Sequence, residues 1–194
     1  MNKDLTEIVL IIDKSGSMNH LTNDVIGGIN QFISDQKELP GNVNLSMILF
    51  DDTLDHKYNR IDLKVIPNLD STIYKTGGMT SLYDAIGYSV NYIGDALDKT
   101  TEADKPSKIL VAIMTDGDDN RSIKYTAASI KEIIDHQITK YAWEFIFMAA
   151  NIDVKKTADS IGISNSLAFT ADSSGTRSVY ACFSDQTTSY RSSK

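Results

Sequence analysis

Residues 13–17 read Asp-Lys-Ser-Gly-Ser and follow directly on the apolar run Ile8-Val9-Leu10-Ile11-Ile12. Asp13, Ser15 and Ser17 thus set one carboxylate and two hydroxyls at alternate positions where a buried strand would end. Donors spaced this way can converge on one point if the chain turns tightly, and Gly16 permits that turn. Hard oxygens of this kind suit a hard divalent cation. Two further segments offer the same chemistry. Thr76-Gly77-Gly78-Met79-Thr80-Ser81 is a flexible loop that presents the Thr80 hydroxyl ahead of a helical pattern. Thr115-Asp116-Gly117-Asp118-Asp119-Asn120 adds the Asp116 carboxylate after another apolar run.

The elements that must position these residues alternate along the chain. Residues 8–12 and 45–50 are strand candidates, with a helical pattern between them at Val25, Ile26, Ile29, Phe32 and Ile33 that Pro40-Gly41 ends. The weakly alternating region 58–66 follows the second strand after only Asp51-Asp52-Thr53-Leu54-Asp55. That connection is too short for a parallel crossover, so the pair is expected to be an antiparallel hairpin with an edge strand. A second helix is marked by Leu82, Ala85, Ile86, Val90, Ile93 and Leu97, and a buried strand by residues 108–115. Ile123, Ala127, Ile130, Ile134 and Ile138 predict a third helix, residues 144–149 a strand, and residues 154–161 a short helix between an Asp153 cap and a Gly162 stop. A short strand at 167–170 precedes a last helix around Val179, Cys182 and Phe183, and the Ser/Thr-rich end 185–194 is expected to fray.

This alternation predicts a three-layer, doubly wound α/β fold with a mostly parallel sheet, one antiparallel edge strand and the order 3-2-1-4-5-6. The first and fourth strands then flank the switch point, where such sheets bind ligands beyond their carboxyl ends, and Asp13 lies beside Asp116. Asp51, Asp52, Asn151 and Asp153 also fall at strand ends. So many carboxylates on one rim repel one another unless a cation offsets them.

Composition narrows the function. A hydrophobic share of 41% supports one sizeable core, and no apolar run approaches the roughly 20 residues needed to span a bilayer. The net charge of −7 with no basic patch argues against nucleic acid as a partner. One cysteine and three scattered histidines leave no disulfide framework and no ordinary zinc constellation. No secretory signal is visible in the opening residues, so a reducing, cytoplasmic setting is expected.

Asp13-x-Ser15-x-Ser17, Thr80 ahead of Leu82-Tyr83-Asp84-Ala85, and Thr115-Asp116-Gly117 together resemble the von Willebrand factor A (VWA) family. Its metal-ion-dependent adhesion site (MIDAS) draws on these three segments, and here all three stand in the expected order. The resemblance covers about residues 5–170, and the chain is most similar to stand-alone bacterial and phage VWA proteins. It implies a single VWA domain over residues 1–194, with 171–194 forming the last helix and a polar tail. It implies also that Ser15, Ser17 and Thr80 bind a metal directly or through water, and that Asp13 and Asp116 hold it directly or through bridging waters. Oxygen-only octahedral coordination suits Mg²⁺ or Mn²⁺, whereas Ca²⁺ prefers more ligands. In the family a partner's Asp or Glu completes the shell, which makes the expected function metal-dependent protein binding with no chemical step. The sequence does not specify the oligomeric state.

Two other classes of function compete with this reading. Phosphotransferases with an aspartate nucleophile need a second carboxylate two residues on, where this chain has Ser15. A metal-dependent hydrolase or phosphotransferase using Asp13 is therefore the weaker alternative. No histidine base follows a strand end, and no Gly-x-x-x-x-Gly-Lys loop is present to bind a nucleotide. A regulatory or assembly role beside an ATPase, in a stress response or in a phage particle would differ only in the partner.

Simpler roles are expected for the remaining polar and special residues. Ser81 and Asp84 fit a capping box, and Asp51 and Asp52 a hairpin turn. Asp118 and Asp119 read as solvated, and His20, His56 and His136 as surface positions. Cys182 and Trp143 read as packing. Met18 and Met79 flank the predicted site, either as loop filler or as an apolar ring around a partner's carboxylate. Gly27 and Gly28 suggest close packing of the first helix on the sheet.

Overall fold

The computed structural model describes residues 1–193. Six strands, β1 (Asn2–Asp13), β2 (Asn42–Phe50), β3 (Leu54–Asp62), β4 (Pro106–Thr115), β5 (Glu144–Ala149) and β6 (Ser166–Ala168), form one sheet in the order β3-β2-β1-β4-β5-β6. All pairings are parallel except β2 with β3, as the short connection requires. The hairpin is tighter than the sequence indicated. Leu54 already pairs with Phe50, which leaves residues 51–53 as the loop.

Helices α1 (Thr22–Lys37) and α5 (Ser173–Ser192) cover one face of the sheet, and α2 (Leu82–Asp98), α3 (Ala127–Tyr141) and α4 (Val154–Ser160) the other. The β1 run divides its side chains accordingly. Ile8, Leu10 and Ile12 pack toward α1 and α5, while Val9 and Ile11 pack toward α2 and α3. Burial on both faces is why β1 and β4 read as unbroken apolar runs. Among the described residues no helix is long and apolar enough to cross a membrane.

Several local expectations are corrected. α3 starts at Ala127, capped by Thr126 in a reciprocal pair with Ser129. Ile123 therefore lies in the preceding loop and is 83% exposed. The C-terminal end does not fray at residue 185, because α5 runs on to Ser192. Lys108 Nζ donates to the Tyr190 and Arg191 carbonyls at 2.8 and 2.9 Å, and Arg191 Nη1 donates to the Gln36 carbonyl at 2.7 Å. Cys182 is exposed on α5 rather than in the core. His56 is half-buried, tilted against the Tyr92 ring at 4.7 Å between centroids. Of the two α1 glycines only Gly28 is needed for packing, and its neighbour is a helix. A Cβ there would lie 2.2 Å from the Tyr180 ring of α5, whereas one on Gly27 would meet nothing within 4 Å.

Candidate metal centre

β1 and β4 run side by side to their carboxyl ends, where Ile12 is level with Met114. Asp13 and Thr115 follow as neighbours, and Thr115 Oγ1 donates to Asp13 Oδ2 at 2.6 Å. Asp13 Oδ1 accepts the backbone N–H of Ser15 at 2.7 Å, folding the chain back over the strand end. Tyr74 Oη donates to the Asp13 carbonyl at 2.6 Å. Asp13 is fully buried, and that burial pushes its carboxyl above the ordinary aspartate range, against the lowering effect of the Thr115 and Ser15 hydrogen bonds.

Ser15 and Ser17 converge, with their Oγ atoms 3.1 Å apart. Ser17 Oγ donates to Asp116 Oδ1 at 2.6 Å, so its one proton is engaged and Ser15 is the donor of the pair. A 3₁₀ turn, Gly16–Leu21, carries the chain from this loop into α1. Gly16 needs no unusual backbone angle, and a Cβ on it would be in ordinary contact with the Gly78 carbonyl at 3.5 Å. The glycine that the geometry requires is Gly78, with φ of +69°. A Cβ on Gly78 would fall 2.1 Å from Asp52 Oδ1.

The loop bearing Thr80 is tied on both sides. Gly16 N–H donates to the Gly78 carbonyl at 3.1 Å, and Gly77 N–H to the Lys14 carbonyl at 2.8 Å. Asn120 fastens Thr80 to the Asp116 loop, accepting its N–H at 2.9 Å and donating to its carbonyl at 3.0 Å. Asp51 holds the turn through Thr53 and bonds Lys14 Nζ at 2.5 Å. Its burial acts to raise the Asp51 carboxyl, but Lys14 and Thr53 together outweigh it and hold the group below the ordinary range. The Asn151 side-chain amide donates to the Asp116 carbonyl at 3.2 Å.

Asp13, Ser15, Ser17 and Asp116 thus form one hydrogen-bonded cluster, and Asn120 ties Thr80 to the Asp116 loop beside it. Among the described residues no three His, Cys, Asp or Glu side chains gather at a common point. A metal centre must therefore draw on hydroxyls, as this cluster does. One observation tests whether a cation fits. Asp116 Oδ2 is buried and has no hydrogen-bond partner. An unpaired buried carboxylate oxygen is costly, and a cation in the cluster would satisfy it.

The flanking residues sort differently from their sequence reading. Ser81 makes no side-chain cap. Asp84 instead accepts three successive N–H groups, from Ile123, Lys124 and Tyr125 at 2.8–2.9 Å, and pins the loop beyond Asp116. Met18 is core, Met79 is exposed at the rim, and His20 is exposed and bonds the Ser17 carbonyl at 2.8 Å. Sequence reasoning passed over Thr115, Tyr74, Asn120 and Lys14. Lys14, Thr115 and Asn120 lie within the same short segments as Asp13 and Asp116, a signal that could have found them, whereas Tyr74 lies in none of the three.

The von Willebrand factor type A domain profile matches residues 7–180, and the chain belongs to this family. No curated protein matches the sequence. Among solved structures, a variant of the PilB minor pilin from Streptococcus sanguinis aligns over 97% of this chain and 62% of its own, with a TM-score of 0.65 at 12% identity. The ArnB paralog VWA2 from Sulfolobus acidocaldarius aligns over 96% of this chain and 45% of its own (TM-score 0.60, 17% identity). Proximal thread matrix protein 1 from the mussel byssus, described with a zinc-occupied MIDAS motif, aligns over 94% and 46% (TM-score 0.64, 12% identity). At these identities the likeness is one of fold, and the chain spans less than two thirds of each of these proteins.

Proposed function

We propose that this chain is a metal-dependent protein-binding module. In this reading Asp13, Ser15, Ser17, Thr80 and Asp116 hold a divalent cation. The observation that carries it is the buried, partnerless Asp116 Oδ2 on one loop beside the paired Ser15 and Ser17 hydroxyls of another. When bound, the cation supplies an electrophilic position that an Asp or Glu carboxylate of a partner can occupy.

The chain's own residues explain why that position would stay reactive. Ser15, Ser17 and Thr80 are neutral donors, so only the two carboxylates offset the charge. Thr115, Ser15 N–H and Tyr74 hold Asp13 in place before any ligand arrives, and Asn120 does the same for Thr80. The all-oxygen donor set favours Mg²⁺ or Mn²⁺. The zinc described for the mussel protein makes Zn²⁺ a third metal worth testing.

Isothermal titration with Mg²⁺, Mn²⁺ and Zn²⁺ on the parent, Asp13→Ala and Asp116→Ala tests the site. Saturable binding by the parent and its loss in both variants is expected, and unchanged binding in both would refute it. A pull-down from source lysate, repeated with EDTA, should then recover a protein partner only when metal is present.

A further inference from the structure

The loop 117–126 is fastened to the first turn of α2, the helix that Thr80 precedes. Asp119 accepts the Tyr83 N–H at 3.2 Å and Ser122 Oγ accepts the Asp84 N–H at 2.9 Å. In return Asp84 accepts the N–H groups of Ile123, Lys124 and Tyr125. These bonds satisfy donors that a helix start leaves open, and they hold the loop to the helix. Ile123 is therefore fixed in place while 83% exposed.

Met79, next to Thr80 in the chain, is 48% exposed. Its loop is fixed as well, through Gly77 N–H, the Gly78 carbonyl and Thr80 N–H. Ile123 lies three residues beyond Asn120, whose side chain and backbone both bond Thr80. A lone exposed apolar residue is ordinary. Here two stand on tied backbone beside the same hydroxyl. Side chains on backbone that is already ordered lose little further entropy when a partner covers them. The exposed charges nearby, Asp118 and Arg121, are of opposite sign, so charge favours neither sign in a partner's flanking residues. Apolar contact is left to discriminate.

On the basis of the proposed metal site, we propose that Met79 and Ile123 select the partner. The segment that fits offers an Asp or Glu to the cation and a large apolar side chain, close by in its sequence, to Met79 and Ile123. Acidic segments with only small or polar neighbours reach the cation without that contact and bind more weakly.

The test first titrates the full chain with Mg²⁺, Mn²⁺ and Zn²⁺ by calorimetry. Loaded with a metal that binds, the chain then selects from a display library of random dodecapeptides, with elution by EDTA. Recovered peptides should share an Asp or Glu with Leu, Ile, Met or Phe within about three residues, the reach of a short extended segment. A synthetic peptide of the recurrent sequence should bind Met79→Ser/Ile123→Ser about tenfold or more weakly than the parent. The metal affinity and melting temperature of that variant should not change. Replacing the peptide's apolar residue by Ser should weaken binding to the parent and add little further loss in the variant, since both changes remove one contact. Absence of metal binding in the parent would overturn the metal site and this surface together. Metal binding with no peptide eluted by EDTA, acidic peptides with no apolar preference, or equal peptide binding by the double variant would overturn the surface alone.

Discussion

Thr115 Oγ1 on β4 bonds Asp13 Oδ2 on β1 at 2.6 Å, joining residues 102 positions apart in the chain. The bond exists because the two strands are parallel neighbours whose carboxyl ends are level. It fixes one Asp13 oxygen while Ser15 N–H fixes the other, so the carboxylate is oriented by its own fold.

Thr115→Val keeps the side-chain shape and removes the donor, leaving Asp13 Oδ2 buried without it. Metal-free urea unfolding should show a loss of about 1–3 kcal/mol, the cost of an unsatisfied buried acceptor. Calorimetry should also show weaker metal binding, since the carboxylate loses its orientation.

Gly78→Ala forces a side chain into a left-handed backbone and against Asp52. The strain should cost about 1–3 kcal/mol. Part of it can be relieved by moving the loop that holds Thr80, so metal affinity should fall by more than stability alone explains. Unchanged calorimetric affinity would separate this loop from the metal site.

The two adjacent glycines of α1 should respond with opposite sign. Gly28→Ala meets the Tyr180 ring and should destabilise by about 1–3 kcal/mol through overpacking between α1 and α5. Gly27→Ala points into open space and should be neutral or stabilising, by up to about 1 kcal/mol of helix propensity. Thermal melts of the two variants decide this.

Glu7 predicts a pH dependence of its own, away from the Asp13–Asp116 cluster. Its side chain is fully buried, Oε1 has no partner, and Oε2 meets Arg60 Nε at 3.1 Å. Burial raises the carboxyl from 4.5 to about 7 even with Arg60 beside it. The folded protein therefore holds this proton to a higher pH than the unfolded chain. The resulting stability is fully present below about 4.5 and is lost as pH rises through about 7. Subtracting the stability profile of Glu7→Gln from that of the parent should leave a difference that falls over this window. A flat difference would mean that Glu7 titrates alike in both states.

The sequence alone was enough to establish the alternating strands and helices, the strand order, and the three loops that carry Asp13, Ser15, Ser17, Thr80 and Asp116. These are local signals: apolar runs, helical spacing and a connection too short to cross over. Tertiary structure alone decided which groups support those residues. Thr115, Tyr74 and Asn120 act across separations of 102, 61 and 40 residues, and no spacing rule reports such contacts. The same reason explains the end of α5. Its Ser/Thr-rich composition argues for fraying, but Lys108 and Tyr190 join it to β4, and the helix persists because its last carbonyls find a cation that sequence proximity could not supply.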